Sequence, residues 1–140
     1  MTTPFNGTES VETFSSDGPR RVFYLADGTP ITPGDFSSSG GTVRQKPDIT
    51  AADGVLTATP GFNPFDSTSA SAAHAAAIAA LMLSAKPTLT IARVRNILRA
   101  TALDIEAPGW DRDSGYGIIM ADKALGFSPF NPGILMLLLE

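Results

Sequence analysis

A chain of 140 residues is sized for one domain, and 43% hydrophobic against 17% charged residues excludes a disordered chain. A net charge of −4 with no basic block argues against a nucleic-acid binder. The absence of cysteine excludes disulfides and thiolate metal sites. The opening residues, MTTPFNGTES, lack the basic and apolar regions of a signal peptide, so the compartment stays unknown. No apolar run approaches the ~20 residues of a membrane span.

In chain order, residues 1–21 are polar and read as loop or as a short strand around residues 11–14. VFYLADGTPITPG reads as a hairpin turning at Asp27 and Gly28. DFSSSGGTV reads as loop. Residues 48–51 and 55–59 are two brief strand candidates, separated by Asp53 and Gly54. Residues 69–84 predict a helix, because alanine is the best helix former and Ile78, Leu81 and Met82 add bulk. So few polar side chains on that helix predict burial on several sides. Lys86 and Pro87 end it. Thr88 or Thr90 then caps a second helix over residues 90–102, where Ile91, Val94, Ile97, Leu98 and Thr101 follow the 3.6-residue period. APGWDRDSGYG is a loop, YGIIM a short strand and ADKAL a helical turn. Strands mixed with helices predict an α/β class.

Five stretches then fall in order: FSSDGP at Phe14, KPDITAADGV at Lys46, STSASAAHAAAIAALML at Ser67, KPTLTIARVRNILRATA at Lys86 and GYGIIMADKAL at Gly115. Together they resemble the C-terminal, nucleophile-bearing part of a subtilisin-like serine protease. The resemblance implies a parallel-sheet α/β domain with a small hairpin insertion. It makes Ser69 the catalytic serine within a motif that includes Thr68, and His74 the histidine that follows on the helix. The backbone N–H of Ser69 would be an oxyanion donor. The fragment is expected to be completed by self-association or by a partner chain, or to rearrange, because a large exposed apolar patch is rarely tolerated in a monomer. Residues 1–127 form the partial peptidase domain, and residues 128–140 an apolar tail carrying the run ILMLLL at 134–139.

A serine hydroxyl is a weak nucleophile that needs a base, and the base needs an orienting carboxylate. The resemblance puts the triad Asp and His and the oxyanion Asn in motifs that precede the matched segment, and the sequence does not contain them. Its one histidine, His74, is five residues after Ser69, so the two side chains point about 140° apart on a helix. His74 is expected to pack and hydrogen-bond beside the helix. The motif also departs from the family. Ser67 stands where a glycine is usual and Ala73 where a proline is. Asp66 favours the helix by ~0.3–1 kcal/mol but puts negative charge where an oxyanion would form.

Asp111 and Asp113 make a partial D-x-D-x-G loop that fails as an EF-hand at its last ligand, so no metal and no cofactor are expected. A surface turn suits them better. Lys46, Lys86 and Lys123 have no spacing that marks them as a base, Trp110 reads as a packed loop aromatic, and Ser37, Ser38 and Ser39 as loop. The expected activity is serine endopeptidase chemistry through an acyl-enzyme on Ser69, inactive in the isolated chain. The alternatives are a non-catalytic assembly module or decayed fragment, and a stand-alone serine esterase on activated esters. The partners implied are a peptide or ester substrate and a second copy or complementing chain. Neither nucleic acid nor a membrane span is implied. The family is commonly secreted.

Overall fold

The computed structural model describes residues 5–126. The apolar tail at residues 128–140 lies outside the described residues. Two short strands, β1 (Arg20–Val22) and β2 (Thr42–Arg44), pair antiparallel with Arg21 opposite Val43. They are the base of the predicted hairpin insertion. Its tip turns at Asp27 and Gly28, where Asp27 Oδ1 accepts from Thr29 N–H at 2.9 Å and Gly28 takes φ +84°. The stretch DFSSSGGTV, residues 35–43, reads as loop, and its last two residues, Thr42 and Val43, instead open β2. Of the two readings of residues 11–14, loop or short strand, the structure has the loop. Val11 N–H donates to the Glu106 side chain rather than to a neighbouring strand, and residues 13–15 turn.

Three helices follow: α1 (Thr68–Ala85), α2 (Ile91–Ala100) and α3 (Ala121–Ala124). Helix α2 begins at Thr90, whose side chain accepts from Arg93 N–H at 3.2 Å. Its Val94, Ile97 and Leu98 are buried on one face. Thr90→Ala should therefore cost about 1 kcal/mol, read as a lowered urea midpoint with unchanged slope.

The core joins these helices. Met82, Val94, Ile97, Leu98, Ile119 and Ala124 are buried together, with Ile49, Ala75, Ile78 and Leu89 packed around them. Residues 48–50 run parallel beside residues 116–119. Tyr116 N–H donates to Asp48 O, Thr50 N–H to Gly117 O and Ile119 N–H to Thr50 O. Ile118 also pairs antiparallel with Leu103. The strands predicted at residues 48–51 and in YGIIM thus meet in a parallel bridge, Thr50 to Ile118, instead of forming full strands. Residues 55–59 contribute only a bridge from Val55 to Phe65.

Burial of α1 on several sides is not what the structure shows. Of its 18 residues only Ala70 and Met82 are buried, while Leu81 and Leu83 are 51% and 42% exposed. The described residues cover one side of the helix and leave the opposite side open. By length and composition alone α1 could cross a membrane, at mean hydropathy 1.3, but a core helix of a soluble protein passes the same test.

Candidate active site

The N-terminus of α1 carries the candidate nucleophile. Ser67 is the N-cap, in extended conformation with φ −170° and ψ 146°. Its side chain accepts from Ser69 N–H at 3.0 Å, and its carbonyl accepts from Ala70 and Ser71 N–H. Thr68 and Ser69 are exposed on the first turn. This placement follows from local chemistry: a serine hydroxyl just ahead of an alanine run satisfies a helix donor that has no partner within the helix.

The segment 46–54 is the bed on which this turn lies. Asp53 Oδ2 accepts from Ser67 N–H at 3.1 Å, and Asp66 Oδ1 sits against Gly54. His74, half-buried, donates from Nδ1 to Ala52 O at 2.5 Å. His74 is thereby a strap between α1 and the 46–54 segment, and among the described residues the structure gives it no hydrogen bond to Ser69. Asp53 was not singled out from the sequence. The signal available for it was an acidic residue followed by glycine within a stretch that the motif order places next to the helix start.

Asp48 fixes the same segment to α2. Its carboxylate accepts from Arg95 at 2.8 Å and pairs with Lys46 and Arg99. Burial pushes its carboxyl up, but hydrogen bonds from Lys46, Arg95 and Arg99 outweigh that and hold it well below the usual carboxylate range. Lys46 is thus an ion-pair partner. Lys86 lies at the C-terminus of α1, where its backbone N–H donates to Met82 O, and Lys123 lies in α3. Trp110 is packed, its indole N–H donating to Pro47 O at 2.9 Å.

Asp111 is buried and occupied. Its Oδ1 accepts from Asp113 and Ser114 N–H, each at 2.7 Å, and its Oδ2 from the Ser114 hydroxyl at 2.5 Å. Burial raises its carboxyl, and those donors lower it further, leaving it below the usual range. Among the described residues no group of three or more His, Asp or Glu side chains is placed to hold a metal. A groove of about 380 Å³ runs along α1 beside the first turn, lined by Thr68, Ser71, Ala72 and Ala75 on one side and by Val11 and Ile49 among others opposite.

A family model described as "Subtilase family" matches residues 11–117. A probable subtilase-type serine protease of Deinococcus radiodurans is 31% identical over 105 residues, which is 73% of this chain and 12% of that protein. Fervidolysin of Fervidobacterium pennivorans is 34% identical over 64 residues, 46% of this chain and 9% of fervidolysin. The chain therefore spans only about a tenth of the curated relatives it matches. Two crystal structures share segments with it, each at TM-score 0.42. They are fervidolysin, titled a keratinolytic enzyme related to subtilisin, at 34% identity over 48% of this chain and 10% of that one, and the psychrophilic subtilisin-like protease Apa1 of an Antarctic Pseudoalteromonas, at 36% identity over 44% of this chain and 14% of that one. The match to residues 11–117, spanning all the motif segments from FSSDGP to the GYG turn, shows that this chain belongs to the subtilase family.

Proposed function

We propose that the chain is the nucleophile-bearing segment of a subtilisin-like serine endopeptidase, with Ser69 as the nucleophile. The observation that carries this reading is the exposed Ser69 on the first turn of α1, inside the stretch that matches the family. In the proposed step, Ser69 Oγ bonds to the scissile carbonyl carbon, and the carbonyl π electrons move to oxygen. A base takes the hydroxyl proton. The C–N bond then breaks, and the amine leaves with that proton. This chain supplies the serine and the helix N-terminus. The base, its carboxylate and a side-chain oxyanion donor come from another polypeptide segment, so the isolated chain is inactive as a peptidase. A second copy or a complementing chain would seat on the uncovered side of α1, where Leu81 and Leu83 are exposed.

A non-catalytic assembly module is the second reading. It is favoured by the cap on Ser69 N–H, which occupies an oxyanion donor.

Treatment of the purified chain with a fluorophosphonate, read by intact mass beside Ser69→Ala, separates the two. Labelling of the wild type alone is the expected result if Ser69 is activated. A folded chain that takes no label alone would remove the esterase reading, and no label in the presence of a complementing segment that carries the base would remove the peptidase reading and leave Ser69 in the helix start of a module.

A further inference from the structure

We infer that Ser67 is an internal brake on Ser69: its hydroxyl occupies the backbone N–H that a developing oxyanion would need. The inference rests on the nucleophile assignment above and concerns how that site is held silent. Four hydrogen bonds fix Ser67 in this role. Its N–H donates to Asp53 Oδ2 at 3.1 Å, its Oγ accepts from Ser69 N–H at 3.0 Å, and its carbonyl accepts from Ala70 and Ser71 N–H at 3.0 and 3.2 Å. The residue is half-buried and held on both sides, so the hydroxyl cannot swing away without breaking its bond to the Ser69 amide.

An N–H has one hydrogen. Shared with the Ser67 hydroxyl, it is not free to meet charge growing on a substrate oxygen. Oxyanion donors accelerate reactions only when they are aimed at the oxyanion before it forms. Here the donor is aimed at its own cap. Glycine at the same position can still begin a helix and still offers its N–H to Asp53, but it has no hydroxyl. Threonine keeps the hydroxyl.

The test uses the full chain and its Ser67→Gly, Ser67→Ala and Ser67→Thr variants, each checked for helix content. Two readouts are taken: hydrogen exchange at the Ser69 amide by NMR, and the rate of fluorophosphonate labelling. In labelling, Ser69 Oγ bonds to phosphorus, fluoride leaves and the hydroxyl proton passes to buffer. Ser67→Gly and Ser67→Ala should release the Ser69 amide to faster exchange and label at least about tenfold faster, below the 10²–10³ typical of losing a whole donor. Ser67→Thr should match the wild type in both. A Ser69 amide that stays protected without the hydroxyl overturns the inference, as does release with no gain in a labelling rate already measurable in the wild type. If no variant is labelled although its Ser69 amide is released, the brake is overturned, while the nucleophile assignment, whose base comes from another segment, stands.

Discussion

Replacing Asp48 by Asn should destabilise the protein by about 2–3 kcal/mol at pH 7. Its carboxylate is 17% exposed and faces Lys46, Arg95 and Arg99 at once. Removing one partner of a buried ion pair typically costs ~3–5 kcal/mol, because the remaining charges are left uncompensated. The lower figure applies because the Arg95 side chain is 50% exposed and partly screened by water. Arg99 is the most constrained of the three. It also lies over the Tyr116 ring, 5.3 Å from the centroid, and its buried Nε has no hydrogen-bond partner among the described residues. The asparagine carbonyl oxygen can still accept hydrogen bonds, but the neutral amide cannot balance three cations.

The same carboxylate fixes the pH behaviour. Its folded value is depressed, so on acidification the unfolded chain takes up this proton first. The stability Asp48 contributes is complete above the unfolded carboxylate value of about 4 and is lost as pH falls below it towards the folded value. Asp48→Asn lacks this titration. The stability gap between wild type and variant should therefore be widest at pH 7 and narrow steadily below about pH 5. Urea unfolding of both proteins at several pH values measures it. A gap that is small at pH 7, or that stays constant to low pH, would show that Asp48 does not carry this load.

Local signals in the chain were strong where one short-range interaction decides the outcome. Thr90 as a cap, the 3.6-residue period of Val94, Ile97 and Leu98, and the turn at Asp27 and Gly28 all appear in the structure where the letters put them. The start of α1 was legible for the same reason, to within a residue. Signals failed where the answer depends on what lies opposite. Residues 11–14 read equally as loop or strand, and among the described residues no strand lies beside them, so Val11 bonds to Glu106 instead. The alanine-rich surface of α1 argues for close neighbours on several sides, yet composition cannot say whether the chain supplies them.

The candidate site divides in the same way. Motif order singles out Ser69, Thr68 and His74 as candidates, and the structure puts Thr68 and Ser69 exposed on the first turn of α1 and His74 against Ala52. The contacts that set their geometry were not, because Asp53 to Ser67 and Ala52 to His74 join residues 14 and 22 positions apart. Asp48 was more accessible than it looked. Arg95 and Arg99 lie four apart on α2 and share a face, and two cations so placed invite an acidic partner from elsewhere in the chain.

The largest loss is expected at Gly117. Its φ is +99°, and a Cβ there would stand 2.1 Å from Leu103 O and 2.7 Å from Leu103 C. Both obstacles are backbone, so no side-chain rotation relieves them. Gly117→Ala should cost about 3–5 kcal/mol, combining backbone strain of ~1–3 kcal/mol with overpacking of ~1–3 kcal/mol. Gly109 separates the two contributions. It has φ +85° with nothing within 4 Å of its Cβ position, so Gly109→Ala meets the strain and not the clash. Its cost should be only about 1–2 kcal/mol. The damage at Gly117 should also travel. Leu103 pairs with Ile118, and the same stretch accepts from Thr50 N–H, which fixes the segment carrying Ala52 and Asp53. Hydrogen exchange should therefore rise at the Thr50 and Ser67 amides in folded Gly117→Ala and stay unchanged there in Gly109→Ala. Equal costs for the two variants, or unchanged exchange at Thr50, would mean that Leu103 yields freely and that the GYG turn does not hold the bed of the candidate site.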